Sequence, residues 1–175
     1  MNRFVFFDEA GVDSNIQQEY ALAESKERAY FKRSNGRRKR TGLIAGIGKE
    51  GLKAPFRFHG NVNGEILEKY FREHLVKELK AGQIVVLDNA SYHKRVGIKK
   101  AVEEAGCELL FLPTYSPDLN PIEQVWSQMK RLIKKLIRDG KDCLVEAIDE
   151  AFIKICDFDF SNYFTHFSKL VNLSF

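Results

Sequence analysis

The hydrophobic pattern changes character once along this chain. Its opening run, "RFVFFDEAG", sets apolar and aromatic residues without helical spacing and stops at Asp8, Glu9 and Gly11, which predicts a buried strand and a turn. Residues 27 to 60 continue in the same manner, with "RAYFKR", a hairpin signal at Asn35-Gly36, "TGLIAGIG", a turn at Lys49-Glu50-Gly51, and "APFRFHG". The first part is therefore expected to be antiparallel strands.

From Asn63 the period lengthens. Asn63 is placed to cap a helix whose Leu67, Tyr70, Phe71, Leu75 and Leu79 share one face. The four apolar residues Ile84 to Leu87 read as a strand covered on both faces. Ile98, Ala101, Val102 and Ala105 mark a helix stopped by Gly106, and "CELLFLP" is a further buried strand. A long helix is predicted from Pro121 to about Arg138, and another from about Asp142 to Ile155, with Leu144, Ile148, Ala151, Phe152 and Ile155 in register. The aromatic-rich C-terminal residues are expected to pack against the core.

Antiparallel strands followed by alternating helix and strand predict an α/β fold with a mixed central sheet and helices on both faces. In such sheets ligands sit beyond the carboxyl ends of the parallel strands. Asp8 and Asp88 each end an apolar strand, so parallel neighbours would project both carboxylates from one edge. Such acids repel one another unless a cation lies between them, and an all-oxygen pair suits Mg²⁺ or Mn²⁺. Each aspartate taken alone also fits an ordinary strand-end turn.

Glu123 admits two readings. With Asn120 as N-cap and Pro121 at the first helical position, it falls at N3, completing a capping box in its Asn form. A step of about 100° per residue also sets it at the edge of the apolar stripe of Ile122, Val125, Trp126, Met129, Ile133 and Leu136, where a carboxylate can face the strand ends. Three carboxylates so placed would hold two ions about 3.5 to 4 Å apart for displacement at phosphorus.

Composition adds exclusions. The 175 residues suffice for one domain with a full core, and no run approaches the roughly 20 apolar residues of a membrane span. The amino end lacks a signal-peptide pattern, so a cytoplasmic location is expected, on the nucleoid when DNA is bound. Three widely spaced cysteines, Cys107, Cys143 and Cys156, read as buried thiols rather than a disulfide frame. Net charge is only +4, but Lys32, Arg33, Arg37, Arg38, Lys39 and Arg40 fall within nine residues. Lys130, Arg131 and Lys134 lie in a second cluster, on the long helix. Either cluster alone fits a solvated surface; two together favour a polyanion such as DNA, with Lys94 and Arg95 beside the second acid as further contacts.

The segments "FFDEAG", "VVLDNASYHK" and "LPTYSPDLNPIEQVWSQMK" together resemble the catalytic domain of the mariner-like transposase superfamily, in its bacterial insertion-sequence branch. The third is the most specific, and the 34 residues between Asp88 and Glu123 match the superfamily's spacing. The resemblance runs from about residue 3 to about residue 165. It implies a ribonuclease-H-like fold and a metal-dependent DNA endonuclease and strand transferase. Asp8, Asp88 and Glu123 would be catalytic ligands of two Mg²⁺ or Mn²⁺ ions, and Glu123 would rest as a helix cap in the metal-free chain. Asn89, His93 and Asn120 would support the site, and Glu9, turned away from Asp8 by strand alternation, would do no more than that. The implied partners are element-end and target DNA and a second copy of the chain. Family members carry helix-turn-helix modules before the catalytic domain, and the first acid here is already at position 8. Residues 1–175 are thus expected to be a single catalytic domain, a second reading frame or a truncated remnant, with that module absent from the chain and encoded separately. The competing expectations are an inert DNA-binding remnant and another ribonuclease-H-like nuclease.

Overall fold

The computed structural model describes residues 3–14, 16 and 39–164. Strand β1 (Phe4–Asp13) pairs antiparallel with β2 (Arg40–Gly48), which pairs antiparallel with β3 (Gly51–His59). On its other side β1 runs parallel to β4 (Ile84–Leu87), and β4 parallel to β5 (Glu108–Phe111), giving the order β3-β2-β1-β4-β5. The expected hairpin at Asn35-Gly36 and the strand "RAYFKR" lie outside the described residues, as does most of the aromatic C-terminal segment.

Helices cover both faces. On one lie α1 (Gly64–Tyr70), its continuation through a π-helical turn at Phe71–Leu75 into α2 (Val76–Glu78), and α3 (Val96–Glu104). On the other lie α4 (Ile122–Arg138) and α5 (Leu144–Cys156). Strand alternation sorts the core accordingly. Phe7, Ile44, Val85 and Leu87 pack under α1 and α3, whereas Phe6, Leu43, Ala45, Ile47 and Val86 pack under α4 and α5. The central strands are apolar on both faces because both are covered.

Local signals start and stop these helices as their chemistry requires. Asn63 Oδ1 accepts from Ile66 N at 2.9 Å, an N-cap as expected. We expect Asn63→Ala to cost about 1 kcal/mol. That would lower the melting temperature by roughly 2–4 °C, read by thermal denaturation. Gly106, at φ +71°, ends α3 in the left-handed conformation that glycine takes without a Cβ clash.

Two expectations need correction. Asp8 does not end β1. The parallel ladder with β4 stops at Phe6↔Val86, but β1 continues to Asp13 as the partner of β2. What brings Asp8 to the sheet edge is the end of its neighbour β4, not of its own strand. The cysteines also divide: Cys107 is buried, while Cys143 and Cys156 are exposed near the ends of α5.

Candidate active site

Continuing the parallel register two residues beyond Phe6↔Val86 sets Asp8 beside Asp88, both on the α4 face. Helix α4 begins one residue before Glu123, so its first turn lies over that edge. Asp8, Asp88 and Glu123 accordingly line one open cleft of about 340 Å³. Its other walls are Asn89 and Ala90 after β4 and the loop from Leu112 to Pro117, with Asn120 at the base of α4.

The three acids sit in different surroundings. Burial raises the pKa of Asp8 well above the usual carboxylate range, and the charges of Glu9, Glu123 and Asp88 push it the same way. Trp126 Nε1 donates to Asp8 Oδ2 at 3.2 Å. The sequence pattern reads Trp126 only as part of the apolar stripe; the signal it offers is that a buried indole N–H requires an acceptor. Glu123 is exposed.

The capping box does not form. Asn120 donates its backbone N–H to the Pro117 carbonyl, and Pro121 occupies the cap position with no side-chain cap bond. Asn120 is instead 4% exposed and donates from Nδ2 to the Phe7 carbonyl at 3.5 Å, while its Oδ1 is buried without a hydrogen-bond partner. A tertiary bond thus takes the side chain that local cap chemistry would use, and it fixes the start of α4 against the residue preceding Asp8.

Behind the sheet edge, strand alternation turns Glu9 to the α1/α3 face, away from Asp8, as expected. There it meets His93. The ring of His93 is fully buried, with Nε2 3.2 Å from Glu9 Oε2 and Nδ1 against Asp88 Oδ1. A neutral imidazole can donate to only one of these carboxylates, so the doubly protonated ring satisfies both. Burial alone would lower the His93 pKa, but the hydrogen bond and charge of Glu9, joined by Asp88, outweigh it and raise it. His93 therefore fixes one oxygen of Asp88 from behind, and Ala90 N fixes the same oxygen at 3.0 Å. That Glu9 and His93 form a pair is not visible in the sequence, where they stand 84 residues apart.

The basic residues are less unified. Lys130, Arg131 and Lys134 are exposed on α4. Seven and eleven residues beyond Glu123, Lys130 and Lys134 share its helix face, about 10 and 16 Å along the axis. Lys94 is exposed after His93, and Lys39 and Arg40 are exposed at the start of β2. Arg95 is engaged by Glu68 at 3.0 Å, which ties α3 to α1. Lys32, Arg33, Arg37 and Arg38 lie outside the described residues.

Among the described residues, no three His, Cys, Asp or Glu side chains close into a tight metal cluster as placed. The donor set still fits a hard divalent cation. It consists of carboxylate oxygens, the charges of Glu123 and Asp88 disfavour ionisation of Asp8, and an unpartnered amide oxygen of Asn120 lies buried in the same wall. Asp8, Asp88 and Glu123 are the residues that would hold it.

A mixed five-stranded sheet with helices on both faces and acids at the edge where its parallel strands end defines a ribonuclease-H-like fold. Residues 3–143 match the profile described as DDE superfamily endonuclease, and the chain belongs to that family. It is 25% identical over 87 residues to the transposable element Tc1 transposase of Caenorhabditis elegans, covering 50% of this chain and 32% of that protein. Its fold is similar to that of the Mos1 strand transfer complex, with a TM-score of 0.73, 18% identity, and coverage of 98% of this chain and 52% of that one. The Mos1 transposase catalytic domain and raltegravir with Mg aligns with a TM-score of 0.61 at 19% identity, over 98% and 79% of the two chains. The chain thus spans about a third of the curated relative and about half of the Mos1 chain in the strand transfer complex.

Proposed function

We propose that this chain is the catalytic domain of a cut-and-paste DNA transposase of the bacterial insertion-sequence branch, acting in the cytoplasm on nucleoid DNA. In this reading it hydrolyses a phosphodiester at the ends of an element and joins the freed 3′ hydroxyl to target DNA. The observation that carries the proposal is the meeting of Asp8, Asp88 and Glu123, from three separate elements, in one open cleft. Mos1 structures solved with a left transposon end, and with Mg or Mn, support the choice of DNA and of divalent ions.

Two Mg²⁺ or Mn²⁺ ions, when bound, would supply an activated attacking oxygen and charge stabilisation for the leaving oxygen. The chain's own residues do the rest. Asp8 and Asp88 present their carboxylates from a rigid sheet edge, with Trp126 orienting the first and His93 with Ala90 N orienting the second. Glu123 completes the set from α4, and Lys130 and Lys134 on the same helix face would neutralise backbone phosphates leading away from the cleft. End recognition we assign to a DNA-binding module outside this catalytic domain, and pairing of two ends to a homodimer.

The test is nicking of supercoiled DNA in Mg²⁺ or Mn²⁺. Wild type should nick, chelation should stop it, and Asp88→Asn should lose it; equal nicking by Asp88→Asn would sink the assignment.

A further inference from the structure

The loop between β5 and α4 contains a feature that the three carboxylates do not explain. Tyr115 has φ +58°, a left-handed backbone that costs a tyrosine far more than it would glycine or asparagine, and its side chain is fully exposed. No packing within the described chain repays a bulky aromatic at that position. Yet Tyr115 lines the same cleft as Asp8, Asp88 and Glu123.

The loop that presents it is anchored at both ends to the catalytic strands. Leu112 N donates to the Leu87 carbonyl at 2.8 Å, one residue before Asp88. Asn120 Nδ2 donates to the Phe7 carbonyl, one residue before Asp8. Between these anchors Pro113 and Pro117 restrict the backbone, Ser116 Oγ donates to the Thr114 carbonyl at 3.4 Å, and a 3₁₀ turn covers Pro117–Leu119. The strained residue is thus held in register with two of the three acids. Strain of this kind persists where its surroundings over-determine it, and it clusters at sites that act on a ligand.

Resting on the reading of this cleft as a DNA-cleaving site, we propose that Tyr115 is a base-stacking residue, its ring taking the face of a nucleobase next to the phosphodiester that enters the cleft lined by Asp8, Asp88 and Glu123. An exposed aromatic beside a phosphate site is the arrangement by which proteins hold unpaired or splayed bases, and stacking tolerates any base because each has a π-face. Tyr115 then acts as a positioning residue: it fixes the nucleotide, and through it the phosphodiester, without touching the reacting atoms.

The experiment uses duplex oligonucleotides with a nick and a short single-stranded tail, carrying 2-aminopurine at successive positions within about three nucleotides of the nick. Ca²⁺ replaces the catalytic ion so that binding is read without cleavage. Wild type should quench the fluorescence at one position, and Tyr115→Phe should retain that quenching. Tyr115→Ala should lose it and bind roughly tenfold more weakly by anisotropy, with an unchanged melting temperature because the exposed ring packs on nothing among the described residues. Identical quenching by wild type and Tyr115→Ala, no quenching at any position, or loss with Tyr115→Phe equal to that with Tyr115→Ala would each overturn stacking. Failure of the catalytic reading shows separately, as nicking that survives Asp88→Asn.

Discussion

Asp8→Asn is expected to abolish metal-dependent nicking, by roughly 10³-fold or more, while raising the melting temperature of the metal-free protein. The two effects share one cause. Asp8 is a carboxylate pushed well above its usual pKa first by burial and then by the charges of Glu9, Glu123 and Asp88. A group whose folded pKa is raised contributes stability fully below its unfolded value, near 3.9, and loses it as pH rises through the folded value. Above the unfolded value, the preference of Asp8 for ionising in the unfolded chain therefore opposes folding. Asparagine removes the charge and keeps an oxygen for Trp126 Nε1, so the variant should melt higher at pH 7, by roughly 2–4 °C for each kcal/mol recovered. The difference should shrink as pH falls toward the ordinary carboxylate range. Adding Mn²⁺ should raise the melting temperature of wild type and leave that of Asp8→Asn nearly unchanged. Calorimetry with and without Mn²⁺, beside a nicking assay, reads every arm. A variant that melts lower than wild type would refute the electrostatic account, and one that nicks within tenfold of wild type would remove Asp8 from the catalytic set.

How far the sequence exposes this site depends on whether a signal is local. The apolar run Ile84 to Leu87 and the stripe through Ile122, Trp126 and Ile133 declare their elements, because periodicity follows from which faces are covered. Alternation places Asp8 and Glu9 on opposite faces, and the structure agrees. The end of the parallel ladder beside Asp8 is not legible, because it is set by where β4 stops; β1 itself continues through Ala10 and Val12 without a break. Asn120 misleads for a related reason. Its sequence context is that of a cap, but a carbonyl 113 residues away takes its amide. The left-handed backbone of Tyr115 leaves no trace in "LPTYSPDLNP", where glycine or asparagine would mark such a turn. What escapes the sequence is thus the set of long-range bonds that aim the acids, rather than the acids themselves.

His93 is where those long-range bonds have the largest expected effect on stability. Removing it by His93→Ala leaves the largely buried Glu9 opposite no cation, with Oε1 already unpartnered, and takes away one of the two donors to Asp88 Oδ1, Ala90 N being the other. Breaking one side of a buried charge pair costs roughly 3–5 kcal/mol, so the melting temperature should fall by about ten degrees. Glu9→Gln in the same chain should return part of that loss, because the remaining group is then neutral, and a double-mutant cycle should give a coupling of about 1–3 kcal/mol. The pH dependence has a definite sign. The His93 pKa is raised in the folded protein, since the bond and charge of Glu9, with Asp88, outweigh the burial that lowers it. Its stabilisation is therefore complete below the ordinary histidine value near 6.5 and lost as pH rises through the folded value. The gap in melting temperature between wild type and His93→Ala should accordingly be widest at mildly acidic pH and narrow in alkali. A gap constant across that range would mean that the ring fills space without pairing charge. If the gap narrows as expected while His93→Ala/Glu9→Gln remains slow in nicking, the stability and orientation roles separate. Glu9 then holds the imidazolium, and the imidazolium aims Asp88.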